Sequence, residues 1–190
     1  MKLPLRAITA VVLALLAAPL AAGAQPARNV PRIGYLAAGS VEIEKSWFAA
    51  FQQGLRELGY VEGKTIVIEQ RYAAGRYERL PELAAELVRL KVDVLVATPA
   101  AAAHAAKKAT SAIPIVMQHG DPVGTGLVAS LAHPGGNVTG LSTLHGDLGP
   151  KRLQLLKEIV PSASRVAVLL NPANPANVLQ LKDVQAAASI

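Results

Sequence analysis

From Arg32 onward the sequence predicts an α/β protein with a mainly parallel sheet. Short apolar runs alternate with stretches of helical periodicity, the signature of successive βαβ units, and glycine and proline fall where those stretches begin or end. Arg32 to Ala37 reads as the first strand. Lys45 to Leu58 reads as a helix, because Trp47, Phe48, Phe51, Leu55 and Leu58 share one face at 3.6-residue spacing and Gly59 stands where a left-handed cap is wanted. That stripe is expected to be core packing and not a cofactor box. Thr65 to Tyr72 is the second strand, with Ile66 and Ile68 alternating against Val67 and Glu69. Pro81 to Leu90 follows as a helix, its proline tolerated in the first turn and Leu83, Ala84, Leu87 and Leu90 facing inward.

Asp93 to Ala97 is a buried strand, and Pro99 to Thr110 an alanine-rich helix whose closing Lys107 and Lys108 suit the negative end of the helix dipole. Ile113 to Met117 is the fourth strand, Pro122 to Leu131 a turn with a short helix, and Val138 to Leu141 a further strand beyond the Pro134-Gly135-Gly136-Asn137 break. A boundary between Leu141 and Lys151, rich in Gly, Ser and Thr, could absorb the rotation of a hinge. The pattern then restarts with a helix from Lys151 to Val160 through Leu153, Leu156 and Ile159. A strand from Arg165 to Leu170 and a last helix toward Ile190 follow. One strand with two helices cannot cover both faces of a parallel sheet, so this second part reads as unfinished.

Ahead of these elements, residues 1–24 have the form of an export signal. Lys2 and Arg6 make the positive start, Ala7 to Leu20 the apolar stretch, and Ala22-Gly23-Ala24 the small-residue cleavage site, with cleavage expected before Gln25. The apolar stretch falls short of the roughly 20 residues that span a bilayer, so no stable membrane insertion is expected after cleavage. Removing the signal lowers the formal net charge from +6 to +4. The remaining Lys and Arg are interspersed with Glu and Asp, as in Glu57, Glu62, Lys64, Glu69 and Arg71, and aromatics for base stacking are few. A solvated surface is expected, not a nucleic-acid partner. No cysteine occurs in the 190 residues, which removes disulfides, thiolate metal sites and thiol nucleophiles together.

In an open parallel sheet ligands bind where the loops at the strands' carboxyl ends meet, at the point where strand order reverses. That rule selects Gly39-Ser40, Thr98-Pro99-Ala100, His119-Gly120-Asp121-Pro122 and Asn171 to Asn174. Ser40 and Thr98 stand just ahead of helices, where a hydroxyl either caps the helix or bonds a ligand oxygen. Asp121 either binds an ammonium or a ligand hydroxyl, or forms an Asp-Pro turn.

Other chemistries lack their motifs. Gly124-x-Gly126 has no third glycine and no strand-to-helix placement, and no Gly-x-x-x-x-Gly-Lys-Ser/Thr loop occurs, so no nucleotide cofactor is expected. His104, His119, His133 and His145 never form a His-x-x-x-His pair. The repeated His119-Gly-Asp121 and His145-Gly-Asp147 triplets find no third cluster, so no metal is expected. No Gly-x-Ser-x-Gly elbow presents a nucleophile. Asn137-Val-Thr139 matches a glycosylation sequon by chance, given a bacterial type of signal.

Several blocks, taken jointly and in order, carry a specific resemblance. They are Arg32-Ile-Gly-Tyr-Leu, Gly54-Leu-Arg-Glu-Leu-Gly-Tyr-Val-Glu-Gly-Lys, Glu69-x-Arg71-Tyr-Ala, Asp121-Pro-Val, Leu131-x-x-Pro134-Gly-Gly-Asn-Val-Thr-Gly, Lys151-x-x-x-Leu155-Leu-Lys and Val166-Ala-Val-Leu-Leu-Asn-Pro. The chain resembles the ABC transporter substrate-binding family that includes tryptophan- and phenylalanine-binding members. The resemblance implies a type I periplasmic-binding fold with two Rossmann-like lobes. Residues 25–142 would form the first lobe, 143–150 the hinge, and 151–190 the start of an incomplete second. Ser40, Thr98 and Asp121 would line one wall of the cleft, and Asn171 and Asn174 the other.

The same resemblance implies a small polar ligand, such as an amino acid, handed unchanged to an ABC permease in the inner membrane. Without a cysteine to lipidate, the mature chain is expected to diffuse in the periplasm. A clamshell binder works because contacts to both lobes favour the closed state, so a chain with one full wall is expected to bind weakly or not at all. The competing expectations are an exported α/β hydrolase with Asp121 as general base, and the ligand-sensing lobe of a receptor.

Overall fold

In the computed structural model of the chain, residues 30–118, 120–143 and 148–188 are described. The expected export signal lies outside them, as do His119, His145 and Asp147. By its internal contacts the chain divides into Met1–Val30 and Pro31–Ile190, and the second of these units is described below.

Five parallel strands form a single sheet in the order β2-β1-β3-β4-β5. They are β1 Arg32–Ala37, β2 Val67–Tyr72, β3 Val94–Thr98, β4 Ile115–Gln118 and β5 Val138–Leu141. The helices are α1 Val41–Glu57, α2 Leu80–Arg89, α3 Ala100–Ala109, α4 Leu148–Ile159 and α5 Pro175–Ala188, with a 3-10 turn at Tyr77–Arg79 ahead of α2. The first crossover carries the chain from β1 to β2 on one side, and every later strand adds on the other. Strand order therefore reverses at β1.

Alternation along β1 divides the core in two. Ile33, Tyr35 and Ala37 point to one face with Ile66, Ile68 and Val96, where Phe48, Phe51 and Leu55 of α1 cover them. Leu36 points to the other, with Leu83 and Leu87 of α2, Ala102 and Ala106 of α3, Leu95, Ile115 and Met117. Tyr35 packs edge-on against Phe48, ring centroids 5.0 Å apart. With helices on both faces, β1 and β3 are buried along nearly their whole length, which is why they read as continuous apolar runs.

Both ends of α1 are set by local chemistry. Ser40 is extended and its Oγ accepts the Ile43 N–H at 3.4 Å, so the helix starts four residues ahead of the expected Lys45. At the far end Gly59 adopts φ +85°, its N–H reaches the Arg56 carbonyl and the Tyr60 N–H the Leu55 carbonyl, both at 2.9 Å, a Schellman closure. The expected apolar stripe needs correction at two places: Trp47 is 52% exposed and Leu58 76%. The inward row is Glu44, Phe48, Phe51 and Leu55, at steps of four, three and four. Trp47 stands about 100° round the helix from Phe48, and Leu58 lies past the last helical residue.

Four further expectations are corrected. No helix forms between Pro122 and Leu131, because the N–H groups of that stretch are taken up in local turns. Val123 and Gly124 donate to Asp121 Oδ1, Thr125 to the Asp121 carbonyl, Gly126 to Val123, and Leu127 and Val128 to Pro122. No strand forms from Arg165 to Leu170, where Val166, Val168 and Leu169 are exposed and no ladder partner lies among the described residues. Consequently α4, expected to bury Leu153, Leu156 and Ile159, packs against α5 and leaves Leu156 and Ile159 exposed. A groove of about 1120 Å³ runs between α4, α5 and residues 163–170. Finally, α4 begins at Leu148, three residues ahead of the expected Lys151, with Gly149 and Pro150 in its first turn.

His104 of α3 carries a stability prediction. Its Nε2 is buried and has no hydrogen-bond partner among the described residues. Burial, then the charges of Lys107 and Lys108, hold its pKa below the ordinary imidazole value of 6.5. The unfolded chain therefore takes up a proton that the native state refuses. Stability from this group is complete above about pH 6.5 and is lost as pH falls from there through the native pKa. His104→Leu should flatten that decline in urea titrations across the window, and an unchanged slope would contradict the assignment.

Candidate ligand-binding site

The site follows from where β1 and β3 part. Ala37 and Thr98 are the last register pair of the two strands, and the Ala38 N–H still reaches the Thr98 carbonyl at 3.0 Å. Beyond them one chain turns to α1 on one face and the other to α3 on the opposite face. A crevice opens at that divergence. Its larger part, about 460 Å³, is lined by Ala38, Gly39, Ile43, Glu44, Trp47, Gly75, Tyr77, Thr98, Pro99 and Asn171. A smaller hollow of about 140 Å³ shares Pro99 and adds Ala100, Gly120, Asp121, Thr143, Asn174 and Gln180 among others.

Four of the five sequence-derived site residues line these hollows, two in each. Thr98 is buried, ends β3 and carries a cis peptide bond to Pro99. Asn171 faces it across the larger cleft. Asp121 and Asn174 meet in the smaller hollow. Ser40 lines neither and serves as the cap of α1. Ser40→Ala is therefore expected to cost about 1 kcal/mol of stability with ligand affinity unchanged, a pair of outcomes that urea unfolding and a ligand titration read separately.

The remaining polar candidates also hold local structure. Asp121 Oδ1 accepts the Val123 and Gly124 N–H groups at 3.1 and 2.8 Å. A carboxylate engaged in this way shapes the loop. Gly124 is needed beside it, since a Cβ there would lie 2.1 Å from Asp121 Oδ2 and 2.7 Å from Leu179 Cδ2 of α5. Asn174 caps α5, its Oδ1 accepting the Ala176 N–H at 3.1 Å ahead of Pro175 at the first helical position. Asn171 Oδ1 accepts the Ala173 N–H at 2.9 Å.

Sequence reasoning missed Glu44, Trp47 and Tyr77. Glu44 is 8% exposed and takes the Tyr35 hydroxyl on Oε2 at 3.3 Å. Its charge is felt all round the crevice. Burial raises the pKa of Tyr35, Tyr72 and Tyr77 above the usual phenol value, and the Glu44 carboxylate raises each further. The signal that could have found it is a lone glutamate on the otherwise apolar row of α1. Pro99, the residue ahead of α3, lines the same cleft, and Ala100 of the helix's first turn lines the smaller hollow beside Asp121. Among the described residues no cluster of three or more His, Asp or Glu could hold a metal ion.

A family model described as ABC transporter substrate binding protein matches residues 44–189, more than half of the chain. The chain belongs to the ABC transporter substrate binding protein family. Its relatives include a tyrosine-binding protein of Clostridioides difficile, 36% identical over 133 residues, 69% of this chain and 38% of that protein. Among solved structures, a conserved domain protein of Vibrio cholerae matches with a TM-score of 0.76 at 30% identity, over 85% of this chain and 54% of the other. An ABC domain from Streptococcus pneumonia in complex with L-Trp matches with a TM-score of 0.73 at 26% identity, over 84% and 53%. A ligand-free, open substrate binding protein with adhesive properties from Clostridium difficile matches with a TM-score of 0.59 at 29% identity, over 84% and 54%.

The chain therefore spans about two fifths of the curated relative and about half of the solved ones. These likenesses bear out the α/β periplasmic-binding fold expected from the sequence. ABC transporter substrate binding proteins are extracytoplasmic, bind small molecules and work with ABC permeases; as a family they are not enzymes. No helix among the described residues is long and apolar enough to cross a membrane.

Proposed function

We propose that this chain captures an amino acid in the periplasm and yields it, unaltered, to an ABC permease of the inner membrane. One observation carries the reading: at the switch point where β1 and β3 diverge, a crevice of about 460 Å³ opens between residues of both walls, with Thr98 and Asn171 lining it and Asp121 and Asn174 in the adjoining hollow. The relatives named for tyrosine and bound to L-Trp support an amino acid as the ligand class. Thr98 and Asp121 stand on the wall formed by residues 25–142. Asn171 and Asn174 stand on the wall begun by residues 151–190, with 143–150 as the hinge between them. Export rests on the N-terminal pattern of Lys2, Arg6 and Ala22-Gly23-Ala24.

Affinity in this chain is expected to be millimolar. The second wall offers the crevice side chains from one turn and from α5, and residues 165–170 form no sheet behind them. A ligand gains from closure only what the closing wall contributes in contacts. Saturation-transfer NMR with L-tyrosine and L-tryptophan tests the reading, with glucose and AMP as controls. Binding of the amino acids alone, recovered intact, is the expected result. Absence of transfer from both amino acids, or appearance of a product, would refute it. Micromolar affinity by calorimetry would refute the one-walled account of the cleft.

A further inference from the structure

We propose that residues 165–170 form a two-stranded antiparallel pair with the same residues of a second copy of this chain, about a twofold axis through Val168. The inference is independent of the ligand reading above, since it concerns the groove beside α4 and α5 and not the crevice.

The segment Arg165-Val-Ala-Val-Leu-Leu170 is a strand in all but its hydrogen bonds. None of its backbone groups bonds to a described residue. Alternate side chains, Val166, Val168 and Leu170, line the groove against α4 and α5, while Leu169 between them is 102% exposed. Side chains that alternate in this way mark an extended chain. An extended segment with open backbone groups, apolar side chains and no charge past Arg165 is a template for pairing with another chain. The two edges of the sheet are guarded against such pairing: β2 carries Glu69 and Arg71, and β5 is four residues long with Gly140 at φ +143°. Residues 166–170 have no such guard.

A second copy is the occupant because the segment complements itself. In an antiparallel pair centred on Val168, Val166 of each copy stands opposite Leu170 of the other and Val168 opposite itself, so the groove-facing rows join on one side of the ribbon. On the reverse side Leu169 of each copy covers Ala167 of the other. Pairing shifted by one residue would break the apolar floor between the two grooves. The ribbon, with Leu156 and Ile159 exposed beside it on α4, buries on the order of 1,000 Å², the weak end of specific interfaces, so dimers are expected at about 100 µM and above.

Sedimentation equilibrium of the whole chain from about 5 to 500 µM should show monomer giving way to dimer. Hydrogen exchange over the same range should show the amides of residues 166–170 gaining protection as the dimer fills. Val168 is half exposed, so a charge there has access to water within one copy. Val168→Glu and Val168→Lys each set like charges against each other at the axis and should raise the dimer dissociation constant at least about tenfold. An equal mixture of the two variants should dimerise at least as readily as the unaltered chain, because residue 168 then meets its opposite charge. A chain that stays monomeric with residues 166–170 unprotected throughout would overturn the proposal and leave the groove to a strand of another protein. Protection of those amides already in the monomer would overturn it too, since a part of the same copy would then be their partner. So would a dimer that neither variant weakens, or protection gained at β2 or β5 instead. Particles that grow without stopping at two would refute the twofold closure.

Discussion

Gly140→Ala should be among the most damaging single substitutions in this chain. Gly140 sits in β5 opposite Met117 of β4 with φ +143°, a region L-residues rarely enter. A Cβ there would stand 2.0 Å from the Met117 carbonyl oxygen and 2.7 Å from its nitrogen. Both are backbone atoms held in the ladder, so no side chain can swing aside. Either β5 leaves β4 or the backbone of both strands deforms. The combined cost of strain and overpacking is about 2–5 kcal/mol, read as a lowered urea midpoint. Gly126→Ala, at φ +71° but with open space around its Cβ, is the control for backbone strain alone and should cost less. Equal losses in the two variants would show that the contact with β4 does not matter.

Leu95→Ala should cost about 2–5 kcal/mol, since Leu95 is fully buried at the centre of the face covered by α2 and α3. The neighbouring strand offers a sharper test. A Cβ on Gly34 would meet Leu95 Cδ2 at 2.7 Å, Val92 Cγ2 at 3.1 Å and Leu87 Cδ1 at 3.3 Å. Gly34→Ala alone overfills that space and should cost about 1–3 kcal/mol. In the double variant the new methyl enters part of the volume that Leu95 vacated. Its loss should therefore be smaller than the sum of the two single losses by about 1 kcal/mol or more, the signature of side chains in contact. Strict additivity would mean that the backbone of β1 relaxes away from β3, contrary to the tight register of Gly34 with Leu95.

The second effect also bears on the crevice. Its walls are the ends of β1 and β3, so a change that loosens their pairing should weaken ligand binding along with stability. Ser40→Ala, by contrast, acts at a cap outside the crevice.

Nearly every element between Arg32 and Leu141 was legible in the residues themselves. The apolar runs of β1 and β3, the alternation of β2, the 3.6-residue rows of α1 and α2, the Gly59 cap and the Lys107-Lys108 end of α3 are local patterns with local physical causes. The parallel arrangement followed from their alternation, and the switch-point rule led to Ser40, Thr98, Asp121, Asn171 and Asn174, of which all but Ser40 line the hollows. Where local pattern and surroundings disagreed, the surroundings prevailed. Arg165 to Leu170 has a strand's composition but no ladder partner among the described residues. The stretch after Pro122 has helical spacing, yet its N–H groups find nearer acceptors around Asp121.

Which side of a helix meets the sheet, and which side meets the crevice, was settled by packing. Trp47 and Phe48 are adjacent in the chain and equally apolar, yet one lies in the core and the other stands over the cleft. Glu44 shows the same in reverse: an acidic residue near a helix start is ordinarily a solvated one, and it became a buried charge because α1 lies across β1 with that residue above Tyr35 and beside Gly39. Periodicity assigns a residue to a helical face. The docking of that helix on the sheet assigns the face to core or to crevice, since burial depends on atoms brought near from distant parts of the chain.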